Sequence, residues 1–332
     1  MTSHVYVAEQ GAVIHKLRER LVIRHKEEVI FERHFRDVAH LFIYGNIQIS
    51  TQVMSALLGQ GIGCSFYSLD GKHKGNLVST YVKGLPVKMA QVKHWKEGTL
   101  YDELSRATIL QKIDMQEAVL RKRRRQYDDS AVKLKEVANT LNEQRENLKS
   151  RDIDIESDRG TEGYSAKLYF SVWSCLMPAD MMFHGRSRRP ANDEVNSLLN
   201  FSYTIFMNDL QVRLDAKGFD TIFGFYHRLR SGRSSLTLDV LEVLRPAVDQ
   251  WILSIIRNQK LRPDHFETHP KYGYLLTPEG RKVYFNELKK WKGKHRSDHV
   301  LDALVESLSQ AYVKGDADYY DRRMQTVLRD LL

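Results

Sequence analysis

The sequence predicts an α+β chain: a small N-terminal β-sandwich-like domain over residues 1–90, then a larger all-α C-terminal domain over residues 91–332. Three observations predict it. Up to about residue 85, short runs of branched and aromatic side chains alternate with turn residues, the mark of strands. From about residue 95, apolar residues recur three and four apart, with no proline until Pro178. A length of 332 residues also exceeds what one small domain usually holds.

Val5-Tyr6-Val7, Val13-Ile14, Leu21-Val22-Ile23, Val29-Ile30-Phe31 and Leu41-Phe42-Ile43-Tyr44 are the clearest strand runs. Thr51 to Leu58 has helical spacing closed by Gly59, and another strand follows at Cys64 to Tyr67. Asp70-Gly71 predicts a turn, with a hairpin partner at Leu77 to Val82. In the second region, Leu104, Ala107, Leu110 and Ile113 supply one helical stripe. Leu134, Ala138, Leu141 and Leu148 supply another, after a break near Tyr127 to Ser130. The spacing of Leu134, Leu141 and Leu148 covers too few heptads for a coiled coil and predicts a helix packed in a bundle. Lys149 to Gly160 is polar and predicts a loop or weak helix end. Beyond Lys292, a thin stripe of Val300, Leu301, Leu304, Leu308 and Val313 predicts peripheral helix.

Hydrophobic residues make up 42% and charged residues 28%, so the chain has the means to fold around a core. No run approaches the roughly 20 apolar residues of a membrane span, and MTSHVYVAEQ has no basic segment leading into an apolar one. A cytoplasmic protein, with no membrane partner, is expected. Cys64 and Cys175 are the only cysteines, without a CxxC or a Cys/His cluster, which argues against disulfides and structural zinc and predicts two small apolar side chains. Lys and Arg number 51 against 42 Asp and Glu, a net charge of +9 that favours polyanionic partners.

Three positions stand out chemically: Glu162 in GTEGYSAKLYF, His227 in GFYHRLRSGRSSL, and Asp239 with Glu242 in SLTLDVLEVLRP. Carboxylates three apart share a helix face and can address one ion, while Glu162 has to arrive from another helix. A hard divalent cation wants oxygen ligands, and one imidazole is tolerated by manganese better than by calcium. Taken singly, each has a plainer reading: a solvated acidic face, or a hydrogen-bonded histidine. Against that stand Leu236, Leu238 and Leu241, an apolar setting in which unpartnered charge is costly, and Gly160 and Gly163, which bracket Glu162 and predict close approach there.

GTEGYSAKLYF, RSRRPANDEVNSLLNFSYTIF and GFYHRLRSGRSSLTLDVLEVLRPAVDQ, in that order and spacing, resemble the CRISPR-associated integrase family called CRISPR-associated protein one. LSRATILQKIDMQ resembles its first long helix and GQGIGCSFYSLDGKHKGNL its N-terminal domain, so the likeness runs from about residue 5 to 290. The resemblance implies a cytoplasmic homodimer, paired through the β domain. With the companion CRISPR-associated protein two, it would insert captured DNA fragments (prespacers) into a CRISPR repeat array as antiviral defence. It also implies that Glu162, His227 and Glu242 hold Mg2+ or Mn2+ and carry catalysis. Asp239 falls on a nearby acidic position that acts through water or from behind the ligands. The chain reads PANDEVN where many members carry a second proline and an Asp-Pro, which touches loop geometry near the site.

Integration then uses a DNA 3′-hydroxyl as nucleophile, and cleavage uses water, at one metal-dependent site. Arg186, Arg188 and Arg189 lie in a Gly/Pro-bounded loop before Asn196, and Arg228, Arg230 and Arg233 follow His227, so these six are expected to contact DNA phosphates. The run Arg121-Lys122-Arg123-Arg124-Arg125 spreads around a helix and reads equally as DNA contact or solvated face. Tyr164 and Tyr203 adjoin the site as candidates for positioning a terminal nucleotide, whereas Phe170, Trp173 and Phe183 read as core. Two alternatives stay open: a branched-DNA repair endonuclease with the same ligands, and a non-catalytic basic scaffold that needs no metal.

Overall fold

The computed structural model describes residues 3–69, 73–77, 84–124, 130–188, 190–230 and 232–332. The Asp70-Gly71 turn, residues 78–82 of the expected hairpin partner, Arg125, Arg189 and most of the expected break after Arg124 lie outside these residues. The chain forms two compact units, Met1–Lys83 and Gly84–Leu332.

The first unit carries β1 (Ser3–Val7), β2 (Val13–Leu17), β3 (Arg20–His25), β4 (Glu28–His34), β5 (Val38–Tyr44), β6 (Gln48–Ile49), α1 (Thr51–Gly59), β7 (Gly63–Tyr67) and β8 (His73–Leu77). Two four-stranded sheets result, ordered β1-β5-β7-β8 and β4-β3-β2-β6. The first is mixed: β5 runs parallel to β1 and β7, and β8 returns antiparallel from Tyr67↔His73 to Cys64↔Leu77. Among the described residues, β8 therefore reaches from His73 to Leu77, the first residue of the expected partner. Alternate residues of both sheets, with Val53 and Leu57 of α1, close one core around Ile14, Leu21, Leu41 and Cys64. Burial pushes the Cys64 thiol up to about 12, so it packs as an inert apolar group; Cys175 is half-buried and free.

The second unit carries α2 (Leu85–Glu97), α3 (Thr99–Arg124), α4 (Ala131–Ser150), α5 (Ile155–Ser171), α6 (Glu194–Lys217), α7 (Ser235–Arg257), β9 (Phe266–His269), β10 (Gly273–Leu276), α8 (Pro278–His295), α9 (Ser297–Lys314) and α10 (Asp318–Val327). The antiparallel pair β9–β10 is an exception to an all-helical second domain. Residues 155–160 belong to α5, so the expected loop is only the short link after Ser150. Its start is fixed by the Asp154 side chain, which accepts from the Ser157 amide. Leu134, Leu141 and Leu148 are fully buried where α4 packs on α3.

Helix α3 is covered on almost every side by α2, α4, α5, α7 and α10, not along one stripe. Its buried charges are each paired, as burial demands. Arg106 forks onto Asp158 at 2.9 and 3.0 Å. Glu117 accepts from Arg121 at 2.6 Å, and Arg123 reaches the side chain and carbonyl of Gln250 at 2.9 and 2.7 Å. Arg123, from the middle of the basic run, is therefore internal. Helix α9 is also packed inside: Val300, Leu301, Leu304 and Leu308 are buried, and Asp298 pairs with Arg213 of α6 at 2.7 Å, so only Val313 of the expected stripe faces out. Among the described residues, no helix is long and apolar enough to cross a membrane.

Candidate metal centre

Glu162 of α5 and Glu242 of α7 meet across α3. The Lys112 ammonium donates to Glu162 Oε1 and, at 2.6 Å, to Glu242 Oε2. Each carboxylate has a further donor on its other oxygen: the Tyr226 hydroxyl at 3.3 Å for Glu162, and Arg245 Nε at 3.0 Å for Glu242. Asp158, one turn before Glu162, is clamped to Arg106 and Arg151, which fixes how α5 lies on α3. Pro246 sits in α7 four residues beyond Glu242, so the Glu242 carbonyl has no intrahelical N–H to accept from.

Glu242 is only 6% exposed. Burial pushes its carboxyl up, yet Arg245 and Lys112 outweigh burial and hold it well below the ordinary carboxylate range, with His227 adding in the same direction. Burial pushes the Lys112 ammonium down, and Glu242 and Glu162 more than reverse that. Burial and the neighbouring Glu162 push the Tyr226 phenol up, so it is a neutral donor to Glu162.

Asp239 has a different environment. It is fully buried, and its Oδ2 accepts from the amides of Phe225 and Tyr226 at 2.6 and 3.0 Å. Its Oδ1 accepts from the His227 amide at 2.9 Å and contacts His227 Nδ1 at 2.5 Å. A carboxylate so occupied has no lone pair to offer an ion directly. It fixes the loop and orients the imidazole, leaving Nε2 as the ring's available nitrogen. Gly224 makes this possible: a Cβ there would lie 2.6 Å from Asp239 Oδ2 and 2.7 Å from Ser235 Cβ.

The donor set suits a hard divalent cation: two carboxylates from separate helices, one oriented imidazole, and a pocket that already takes a cationic ammonium between the acids. Gly160 and Gly163 face open space instead of a close neighbour.

Of the expected phosphate contacts, Arg188, Arg228 and Arg230 are exposed and Arg233 half-exposed, with Arg228 paired to exposed Glu156 at 3.0 Å. Arg186 departs from that expectation. Its guanidinium donates to Asn196 Oδ1 and Asn200 Oδ1 at 2.9 and 2.7 Å and lies over the Tyr203 ring, so it braces the loop. Asn196 is buried in the same brace, between Asp193, Gly185 and Ser187. Tyr203 is buried, donates to Asp249, and also carries Arg245 over its ring at 4.4 Å, while Tyr164 is 49% exposed. Phe170, Trp173 and Phe183 form one aromatic cluster with Trp173 fully buried.

Sequence reasoning missed Lys112, Arg245, Tyr226 and Gly224. Arg245 had a signal, three residues after Glu242 on one face; Lys112 had one in the apolar residues around it, Ile109 and Ile113.

The chain matches the family model described as CRISPR associated protein Cas1 over residues 5–290. It is similar to the CRISPR-associated endonuclease Cas1 3 of Thermus thermophilus, 30% identical over 90% of this chain and 86% of that one. Its fold is similar to that in a Cas6-RT-Cas1–Cas2 complex, at 18% identity and TM-score 0.80, covering 96% of this chain and 36% of that much longer one. It is also similar to a casposase bound to integration product, at 21% identity and TM-score 0.76, over 95% and 92% of the two chains.

Proposed function

The chain belongs to the CRISPR-associated Cas1 family, and from that premise we propose that it is a cytoplasmic, divalent-metal-dependent DNA integrase and endonuclease. It inserts prespacer fragments into a CRISPR repeat array through attack by a DNA 3′-hydroxyl. The observation that carries this reading is the meeting of Glu162 and Glu242 from two helices around one cation, with His227 oriented beside them by Asp239.

Glu162, Glu242 and His227 would hold Mg2+ or Mn2+, with Asp239 behind the histidine. Such an ion would supply charge neutralisation at the phosphate and activation of the attacking oxygen. Arg245 and the Tyr226 hydroxyl keep one oxygen of each glutamate turned away, so that the other faces the pocket. Arg188, Arg189, Arg228, Arg230 and Arg233 hold the phosphates of the strand, and Arg228 exchanges Glu156 for phosphate as DNA arrives. Tyr164, exposed two residues after Glu162, is the candidate to stack on a terminal base, whereas Tyr203 supports Arg245 from inside. The strand-rich unit pairs two protomers, and the assembly includes Cas2, the companion named in the Cas6-RT-Cas1–Cas2 structure.

The test is integration of a labelled duplex into a repeat-bearing plasmid, with and without Cas2 and with Mg2+, Mn2+ or chelator. Joined products that need metal support the reading. Hydrolysed fragments alone indicate a repair nuclease, and DNA binding with no metal-dependent product indicates a scaffold.

A further inference from the structure

Among the described residues, Lys112 is the cation that bonds both proposed glutamate ligands. Its side chain is 9% exposed, as is that of Glu242. Two carboxylates brought together in such a place repel each other strongly, and a buried ammonium between them removes that cost. The same position is where an ion shared by Glu162 and Glu242 would sit. One pocket cannot hold both cations at ligation distance.

We propose that Lys112 is a resident counter-ion of the metal site, displaced when a divalent cation enters. The claim rests on the metal reading above and adds a competition to it. Before metal, the ammonium ties α5 to α7 and occupies the place between the two glutamates. After metal, the ammonium needs new acceptors, and buried ones stand ready. Thr108 Oγ1 and Gln116 Oε1 lie one turn to either side of Lys112 on α3, and Ser165 Oγ lies three residues after Glu162 on α5; all are buried, and among the described residues none has a hydrogen-bond partner. Buried polar atoms without partners are uncommon, and acceptors on both sides of a displaceable ammonium give them a role. Arg245 cannot substitute for Lys112, because it approaches the far oxygen of Glu242 and is held over Tyr203.

The competition predicts that removing the ammonium tightens metal binding, the reverse of what loss of an ordinary structural contact does. Mn2+ binding to the full chain is measured by calorimetry for the unaltered protein, Lys112→Met, Lys112→Gln and Glu162→Gln. Both lysine variants are expected to bind about tenfold more tightly, equivalent to ~1.4 kcal/mol. They are also expected to melt at lower temperature without metal and to gain more from it. Equal or weaker binding in both overturns the proposal. In the unaltered protein, NMR of the lysine ammonium groups during Mg2+ titration is expected to show the Lys112 signal leaving its carboxylate-bonded position. An unmoved signal at saturating Mg2+ also overturns it, and this arm stands even if the variants do not fold. If the unaltered protein binds no Mn2+, or Glu162→Gln binds it equally well, the metal reading itself fails. Metal binding that Glu162→Gln weakens and Lys112→Met leaves unchanged fails the competition alone.

Discussion

The two walls of the site neutralise their buried acids in different ways. On the glutamate wall, Glu162 and Glu242 are matched by side-chain cations and a phenol that can move. On the histidine wall, Asp239 is matched by three backbone amides and an imidazole that belong to one short loop. Asp239 and Glu242 sit three residues apart on the same helix, so neither sequence position nor burial separates their roles; the partners do. Charge answered by mobile side chains is open to exchange with an ion or a substrate. Charge answered by backbone becomes architecture.

The sharpest test of this contrast is Glu162→Gln against Asp239→Asn. Glu162→Gln is expected to lower metal-dependent integration by about a thousandfold, with a melting temperature close to that of the parent, since Lys112 keeps Glu242. Asp239→Asn turns an NH2 toward donors and is expected to lower stability by about 2–4 kcal/mol in urea unfolding, with activity lost alongside. Equal stability losses would break the comparison.

A second probe enters from the loop. Gly224→Ala forces a methyl group against Asp239 Oδ2 and Ser235, and is expected to destabilise by about 1–3 kcal/mol and to weaken Mn2+ binding through His227. An alanine accepted at no cost in either measurement would show that the loop does not need its tight wrap.

Acidity sharpens the glutamate wall at its far end. Burial raises the Asp249 carboxyl to about 7, although Tyr203, Arg186 and Arg245 pull it down. A carboxyl raised on folding is protonated in the native state while the unfolded chain has already ionised. Its contribution to stability is therefore complete at acid pH and is lost as pH rises from about 4 through about 7. Urea unfolding between pH 5 and 8 is expected to show a shallower fall for Asp249→Asn than for the parent, by about 2–3 kcal/mol. The smallest effect belongs to exposed Arg228. Changing it to alanine is expected to reduce the salt slope of DNA binding by about one, with little change in melting.

Much of the fold was legible because it rests on short-range pattern: the strand runs before residue 70 and the helical stripes after 95 fall where periodicity places them. Within the site, Asp239 and Glu242 were legible from helical spacing, and Glu162 and His227 from chemical type. Lys112 and Arg245 were harder to read, because a lone charge in a helix normally faces water, and the convergence of α3, α5 and α7 is what buries Lys112 and half-buries Arg245. Arg186 misled for the opposite reason: an arginine in a polar loop reads as free, and its partners Asn196, Asn200 and Tyr203 come from a helix that begins later in the chain. The last helices misled through composition. The acids of α9, Asp298 and Asp302, dilute its stripe on paper, but from the solvent side they pair with the buried Arg213 of α6.

The Asp239 clasp also sets the rhythm at which the histidine can come loose. Its three amides lie only 12 to 14 residues upstream of their shared acceptor, and α7 needs none of them for its own turns. The loop is held on its carbonyl side as well, by the Ser105 hydroxyl on Phe225 at 2.8 Å and by Arg159 on Tyr226, but the three amides share one acceptor and are expected to open as a unit. Amide hydrogens at 225, 226 and 227 should then exchange with solvent at one common rate, faster than those in the middle of α7, as a single latch beside an otherwise quiet bundle.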